Sequence, residues 1–126
     1  MAIRGRSKLR GLQSDVKKHA EWALTWADYY NVPVQITSGK RSMRAQSRLR
    51  DNYERCVQSG EFGKTDKCRW PANRPGQSAH NYALAWDSTT SPEYQSWWNQ
   101  VRGLAGFSVP TNDHIHAEVP GWRNYI

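Results

Sequence analysis

Apolar residues recur at gaps of three and four between Ser7 and Tyr30, at Leu9, Leu12, Val16, Ala20, Ala23, Ala27 and Tyr30. That period predicts an amphipathic helix with Lys and Arg on its outer side, stopped by Asn31-Val32-Pro33. Val34 to Thr37 alternates and is β-branched, so it predicts a short strand. Ser42 is placed to cap a second helix with Ala45, Leu49, Tyr53 and Cys56 as its inner stripe and Gly60 as its stop. The arginines at 44, 48, 50 and 55 are expected to be mostly solvated. Residues 60 to 77 are polar, glycine-rich and basic, a long loop of the kind that is commonly functional or disordered. Tyr82 to Thr89 predicts a buried strand. Ser91-Pro92-Glu93 starts a third helix, with Tyr94, Trp97, Trp98, Val101 and Leu104 as its buried face and Gly106 as its end. Phe107 to Val109 and His114 to Val119 are the last strand candidates. No repeat or linker interrupts residues 1–126, which predict a single α+β domain: a small, mainly antiparallel sheet flanked by about three helices.

Composition narrows the partners. No apolar run of about 18 residues exists, so no transmembrane helix and no membrane insertion are expected. The basic N-terminus lacks the apolar segment of a secretory signal, so synthesis in the cytoplasm without the usual export route is expected. The net charge of +7 and pI of about 9.7 imply attraction to a polyanion: nucleic acid, an anionic membrane face or an acidic polymer such as a bacterial cell wall. The basic residues are scattered and no recognition motif accompanies them, so nucleic acid is not the expected partner. Seven tryptophans and six tyrosines suit either buried aromatics or a groove that grips an extended polymer. Cys56 and Cys68 have neither framework nor metal-finger spacing. Two free thiols are expected of a chain made in a reducing compartment, with a single bridge across the intervening loop as the alternative.

Candidate chemistry concentrates in two stretches, PGQSAHNYALAWD at 75–87 and NDHIHAEVPGW at 112–122, which hold three of the four histidines. Imidazole and carboxylate are the usual ligand set of a catalytic zinc; the competing reading is hydrogen-bonded core histidines. His19, beside the apolar stripe of the first helix, reads as a surface residue. His80 and Asp87 are an odd number apart, so an unbroken strand would oppose them, and both reach one ion only if His80 precedes the strand on a turn. His114 and His116 share a face if that segment is extended, and Asp113 joins them only from before the strand.

The stretch SAHNYALAWD resembles the Ser-x-His-x-x-Gly-x-Ala-x-Asp signature of zinc-dependent peptidoglycan peptidases. That family includes the D-alanyl-D-alanine carboxypeptidases and dipeptidases and the phage L-alanyl-D-glutamate endolysins. Ser78, His80, Ala85 and Asp87 match, while Ala83 stands where glycine is usual. That substitution is tolerable unless the backbone there needs a positive φ. Asp113-His114-Ile115-His116 resembles the family's acid-x-x-His motif, and the Ala-Glu that follows is similar to the phage enzymes' ending. TSGKRSMRAQ is similar to the Ser-Gly-Tyr-Arg-Ser-x-x-x-Gln segment, with Lys40 in place of tyrosine.

The resemblance implies a hedgehog- or D-Ala-D-Ala-peptidase-like fold and zinc ligation by His80, Asp87 and His116. It implies Asp113 as the general base and Arg41 as the cation that steadies the substrate or a developing oxyanion. Gln46 and Ser78 would support the site, and His114 would donate a hydrogen bond to the tetrahedral intermediate. The implied activity is hydrolysis of peptidoglycan stem peptides by an endolysin or virion-borne endopeptidase acting in the periplasm or wall, with other virion proteins as possible partners. A D-alanyl-D-alanine carboxypeptidase and a non-catalytic wall-binding or structural virion module on the same fold are the alternatives.

Overall fold

A computed structural model describes residues 2–126. Four strands, β1 (Ile3–Arg4), β2 (Val34–Ser38), β3 (Ala85–Thr90) and β4 (His116–Glu118), form one sheet in that order. The pairs β2–β3 and β3–β4 are antiparallel, while the two-residue β1 lies parallel to β2 at the edge. Three helices flank the sheet: α1 (Ser14–Tyr29), α2 (Met43–Ser59) and α3 (Gln95–Leu104). The expected α+β architecture is present, and β1 is an addition too short to leave a periodic signal.

The core joins the inner stripe of α1 (Val16, Ala20, Ala23, Leu24, Ala27) to Trp98 and Val101 of α3 and to Val34, Ile36, Ala85 and Trp86 of the sheet. Trp86 meets Trp98 and Phe107 edge-on, with ring centroids 6.0 and 5.5 Å apart. Burying such aromatic groups is the main apolar gain in a sheet this small.

Several elements depart from their expected form. The first helix is not continuous: Arg6–Leu9 is a 3-10 turn, and α1 begins only at Ser14, with Leu9 and Leu12 still buried. The apolar period survives the break, which is why the sequence reads straight through it. In α3 the buried face is Trp98, Val101 and Arg102, whereas Leu104 is 78% exposed and Tyr94 lies in the preceding 3-10 turn, Pro92–Tyr94. Phe107 to Val109 makes no strand and adds one isolated bridge, Ser108 to Glu118.

The largest difference concerns α2. Ser42 caps it through the Ala45 N–H and Gly60 ends it in the left-handed conformation, as its sequence predicts. Yet its only buried residues are Gln46 and Cys56, and Leu49 of the expected inner stripe is 42% exposed. Helix α2 is tied to the following loop rather than to the core. Gln46 Nε2 donates to the Asn73 carbonyl, Arg50 to the Ala72 carbonyl and Asn52 to the Lys67 carbonyl. Of the four arginines expected in solvent, Arg50 is thus half-buried. Cys56 and Cys68 form a disulfide, so the expectation of two free thiols is overturned. The loop doubles back on the helix end, where Glu61 N and Phe62 N both donate to the Cys56 carbonyl. That brings the two Cα atoms to 5.5 Å, within bridging range.

Candidate metal centre and its cleft

His80 lies in a 3-10 turn, Ala79–Tyr82, that precedes β3. Ser78 caps this turn, its hydroxyl accepting from the His80 N–H at 3.3 Å. Asn81 locks it to the neighbouring segments, accepting from Gly76 N and donating to the Arg41 carbonyl. Ala83 then reverses the chain with φ 63° and ψ 33°. The backbone therefore does need a positive φ at the position where glycine was expected, and Ala83 adopts it at a cost of about 1–2 kcal/mol. This reversal lets His80 and Asp87 face the same way despite their odd separation.

Asp87 on β3 pairs directly with His116 on β4. His80 Nε2 lies 3.1 Å from Asp87 Oδ1 and 3.2 Å from His116 Nδ1, and His116 Nδ1 lies 3.2 Å from Asp87 Oδ1. Among the described residues, His80, Asp87 and His116 are the group whose donor atoms could hold a metal ion.

The outward nitrogens decide what this triangle lacks. His80 Nδ1 is 2.7 Å from the Gly39 carbonyl, which can only accept, so that nitrogen carries the proton. His116 Nε2 is 2.7 Å from Glu118 Oε1 and is protonated for the same reason. Each ring therefore turns a lone pair toward Asp87 when neutral, a carboxylate–histidine arrangement typical of metal ligands. The edges near 3.2 Å match those of a tetrahedron with bonds of 2.0–2.1 Å, about 3.3 Å. The donor set fits zinc in both chemistry and size.

Burial disfavours charge on His116, but hydrogen bonds to Asp87 and Glu118 outweigh it and raise its pKa above the ordinary imidazole value. Burial likewise opposes the Asp87 carboxylate, yet its pairing with His116 and His80, whose inward nitrogens donate to it when the rings are charged, holds its pKa well below the usual range.

Behind the triangle stand two arginines. Arg41 Nη2 is 3.9 Å from Asp87 Oδ2, and the guanidinium donates to Gln46 Oε1 at 3.0 Å and Ser38 Oγ at 3.3 Å. Burial lowers its pKa and the Asp87 charge offsets part of that. Arg102 is fully buried, donating to the His114 and Ile115 carbonyls and to Asn99 Oδ1. Burial brings its pKa down to about 10, opposed by Asp87 and Asp113.

One cleft of about 520 Å³ takes in Arg41, Gln46, Ser78, His80, Asp87, Asp113 and His116. The exception is His114. The Asp113 carbonyl accepts from His116 N at 3.0 Å, closing a turn that carries the His114 side chain into solvent and off the cleft lining. The resemblance gave His114 a hydrogen bond to a reacting carbonyl; the segment is a turn here, with the His114 side chain exposed outside the cleft lining. His19, exposed as expected, has Nδ1 2.8 Å from the Ala105 carbonyl.

Sequence reasoning gave no role to Gly39, Glu118 or Arg102. Glu118 follows His116 by two on a strand, which places both on one face and was a readable signal. Gly39 carries the His80 acceptor, and a Cβ there would overlap the Lys8 carbonyl oxygen. Nothing local betrays that close approach, nor the burial of Arg102.

No protein-family model and no curated protein matches the chain. Solved structures share its fold. A variant of the vancomycin-resistance D,D-pentapeptidase VanY, in complex with Zn(II), superposes with a TM-score of 0.66 at 19% identity over 89% of this chain and 74% of that one. The LD-carboxypeptidase LdcB, whose structure concerns peptidoglycan recognition, gives 0.64 at 17% over 96% and 75%. The L-Ala D-Glu endopeptidase ChiX of Serratia marcescens gives 0.56 at 20% over 98% and 94%. These are the kinds of peptidase that the three sequence motifs resemble.

Proposed function

From a fold held in common with these peptidases, we propose that the chain is a zinc-dependent peptidase of bacterial peptidoglycan stem peptides, acting as an endolysin or a virion-borne endopeptidase. The observation that carries this reading is the triangle of His80 Nε2, His116 Nδ1 and Asp87 Oδ1, with both outward nitrogens engaged by acceptors. When bound, the ion supplies Lewis acidity to the scissile carbonyl and to an attacking water.

The chain's own residues do the rest. Asp113, on the turn that leads into His116, takes the water's proton and delivers it to the leaving amine. Arg41 faces the cleft with its fork held by Gln46 and Ser38, so it meets developing negative charge without reorganising. Glu118 and Gly39 keep His116 and His80 in the tautomers that ligation needs. Gln46, only 2% exposed, couples Arg41 to the cleft wall through Asn73.

Two measurements on one set of variants test the proposal: metal content, and hydrolysis of purified peptidoglycan with products read by mass spectrometry. His80→Ala should lose both, and Asp113→Asn should keep the metal while losing hydrolysis by about 10²-fold or more. Wall lysis by metal-free protein, or by Asp113→Asn at the parent's rate, would refute the mechanism. Release of free D-alanine alone would assign a carboxypeptidase instead.

A further inference from the structure

The cleft reaches beyond the metal centre to a wall that the proposed chemistry does not use. Trp70 and Leu49 line it, 52% and 42% exposed, with Pro71 beside them. A large indole and an isobutyl group open to water in the lining of one cleft form an apolar patch on which a ligand can dock. The wall is also built to hold its shape. The carbonyls of Lys67, Ala72 and Asn73 accept from Asn52, Arg50 and Gln46 of α2, and the Cys56–Cys68 disulfide fastens its base.

We infer that the Leu49–Trp70–Pro71 shelf is a saccharide subsite, which binds the glycan sugar from which the stem peptide springs. This rests on the peptidoglycan reading above and sharpens it. The stem's methyl groups and carboxylates do not cover an indole face, and its one long side chain, that of a diamino acid, offers a flexible methylene chain rather than a flat face. The flat amphipathic group in this polymer is the pyranose ring, whose C–H face lies on an indole while its hydroxyl and acetamido groups stay wet. Polar side chains suited to those groups, Asp66 and Lys67, line the same wall. A sugar on the shelf with the stem running toward His80 and His116 places the scissile bond near the glycan end of the stem.

The test compares kcat/KM for a disaccharide-linked stem peptide with that for the same peptide lacking the sugar, in the zinc-loaded protein and in Trp70→Ala and Trp70→Phe. A parallel measurement titrates the free GlcNAc–MurNAc disaccharide by calorimetry into the same three proteins. The expected result is a preference for the glycan-linked substrate on the order of tenfold. Trp70→Ala should collapse that ratio toward one and Trp70→Phe should retain most of it, with disaccharide binding following the same order. An equal rate on both substrates in the parent would overturn the subsite and leave the peptidase reading intact. Loss of rate on both substrates alike in Trp70→Ala would overturn it too, by giving the shelf to the peptide. If neither substrate is cleaved, the peptidase reading fails, and the disaccharide titration alone decides the subsite: binding lost in Trp70→Ala upholds it, and no binding to the parent ends it.

Discussion

Opening the Cys56–Cys68 bridge should loosen the cleft wall before it unfolds the domain. The bridge closes a loop with a sequence separation of 12. In the chain-entropy account, freeing a loop of that size stabilises the unfolded state by about 3 kcal/mol. For a domain of this length each kcal/mol is worth roughly 3–5 °C of melting temperature, so the full effect is about 10 °C. Part of it should appear locally, because α2 buries no apolar residue in the main core and is held to the loop by three side-chain-to-carbonyl hydrogen bonds. The perturbation is the Cys56→Ser/Cys68→Ser double variant, which avoids exposing a metal site to reductant. Calorimetry should give a melting temperature lower by several degrees, up to about 10 °C. Hydrogen exchange at a lower temperature should find amides of residues 61 to 73 open while those of β2 and β3 stay protected. A melting point within about a degree of the parent, with equal protection in 61 to 73, would mean that the hydrogen bonds alone fix the wall, and the reasoning would be wrong.

Three further outcomes follow from the site. Glu118→Gln should keep the fold but weaken zinc binding by about 10- to 100-fold, since the amide no longer enforces the His116 tautomer; calorimetric affinity equal to the parent's would remove Glu118 from the site. The raised pKa of His116 gives metal-free and metal-loaded protein opposite pH trends. Without metal, the proton's contribution to stability is fully present below the unfolded imidazole value near 6.5 and is lost as pH rises through the raised folded value. Zinc must displace that proton, so its affinity should fall by up to tenfold per pH unit below the raised value; titrations with the two trends running in parallel would contradict this. At position 83, a β-branched residue cannot take the left-handed conformation as alanine does, so Ala83→Val should cost about 1–3 kcal/mol by denaturant unfolding. Ala83→Gly should stay within about 1 kcal/mol of the parent, because relief of the strain offsets the lost buried methyl.

The elements whose burial follows a simple period were legible, and those held by polar or covalent ties were not. Helix α2 illustrates both sides. Its ends are written in Ser42 and Gly60, but its inner stripe was misread because period analysis assumes that a helix docks on the core. Here the helix docks on a loop through Gln46, Arg50, Asn52 and Cys56. The disulfide was hidden for the same reason: thiol proximity comes from the loop's return path, which no spacing rule encodes. In the candidate site, the residues the motifs carry are gathered in one cleft except His114, whose position depends on a turn bond between Asp113 and His116. Motifs name side chains; the backbone between them decides which way each one points.

The charges around the cleft also fix an order of events. Asp87, Asp113 and Glu118 line it together with Arg41, while Arg102 stands buried behind it and Asp66 and Lys67 offset one another on the wall. Three carboxylates against two guanidinium groups give the centre an excess negative charge, which a second proton on His116 offsets as pH falls; that balance favours a dication, which displaces the proton, over an acidic peptide. On the proposed function, a divalent ion at the triangle would reverse that sign, and the same cleft would then attract the carboxylates of a peptidoglycan stem. Arg41 and Arg102 cannot reverse it alone, since both already face Asp87. Metal should therefore bind first and substrate second. Stem peptide should accordingly bind metal-free protein weakly, and the gain on zinc loading should shrink as salt is raised. A stem peptide that bound metal-free and zinc-loaded protein equally well would show that substrate charge plays no part in recognition.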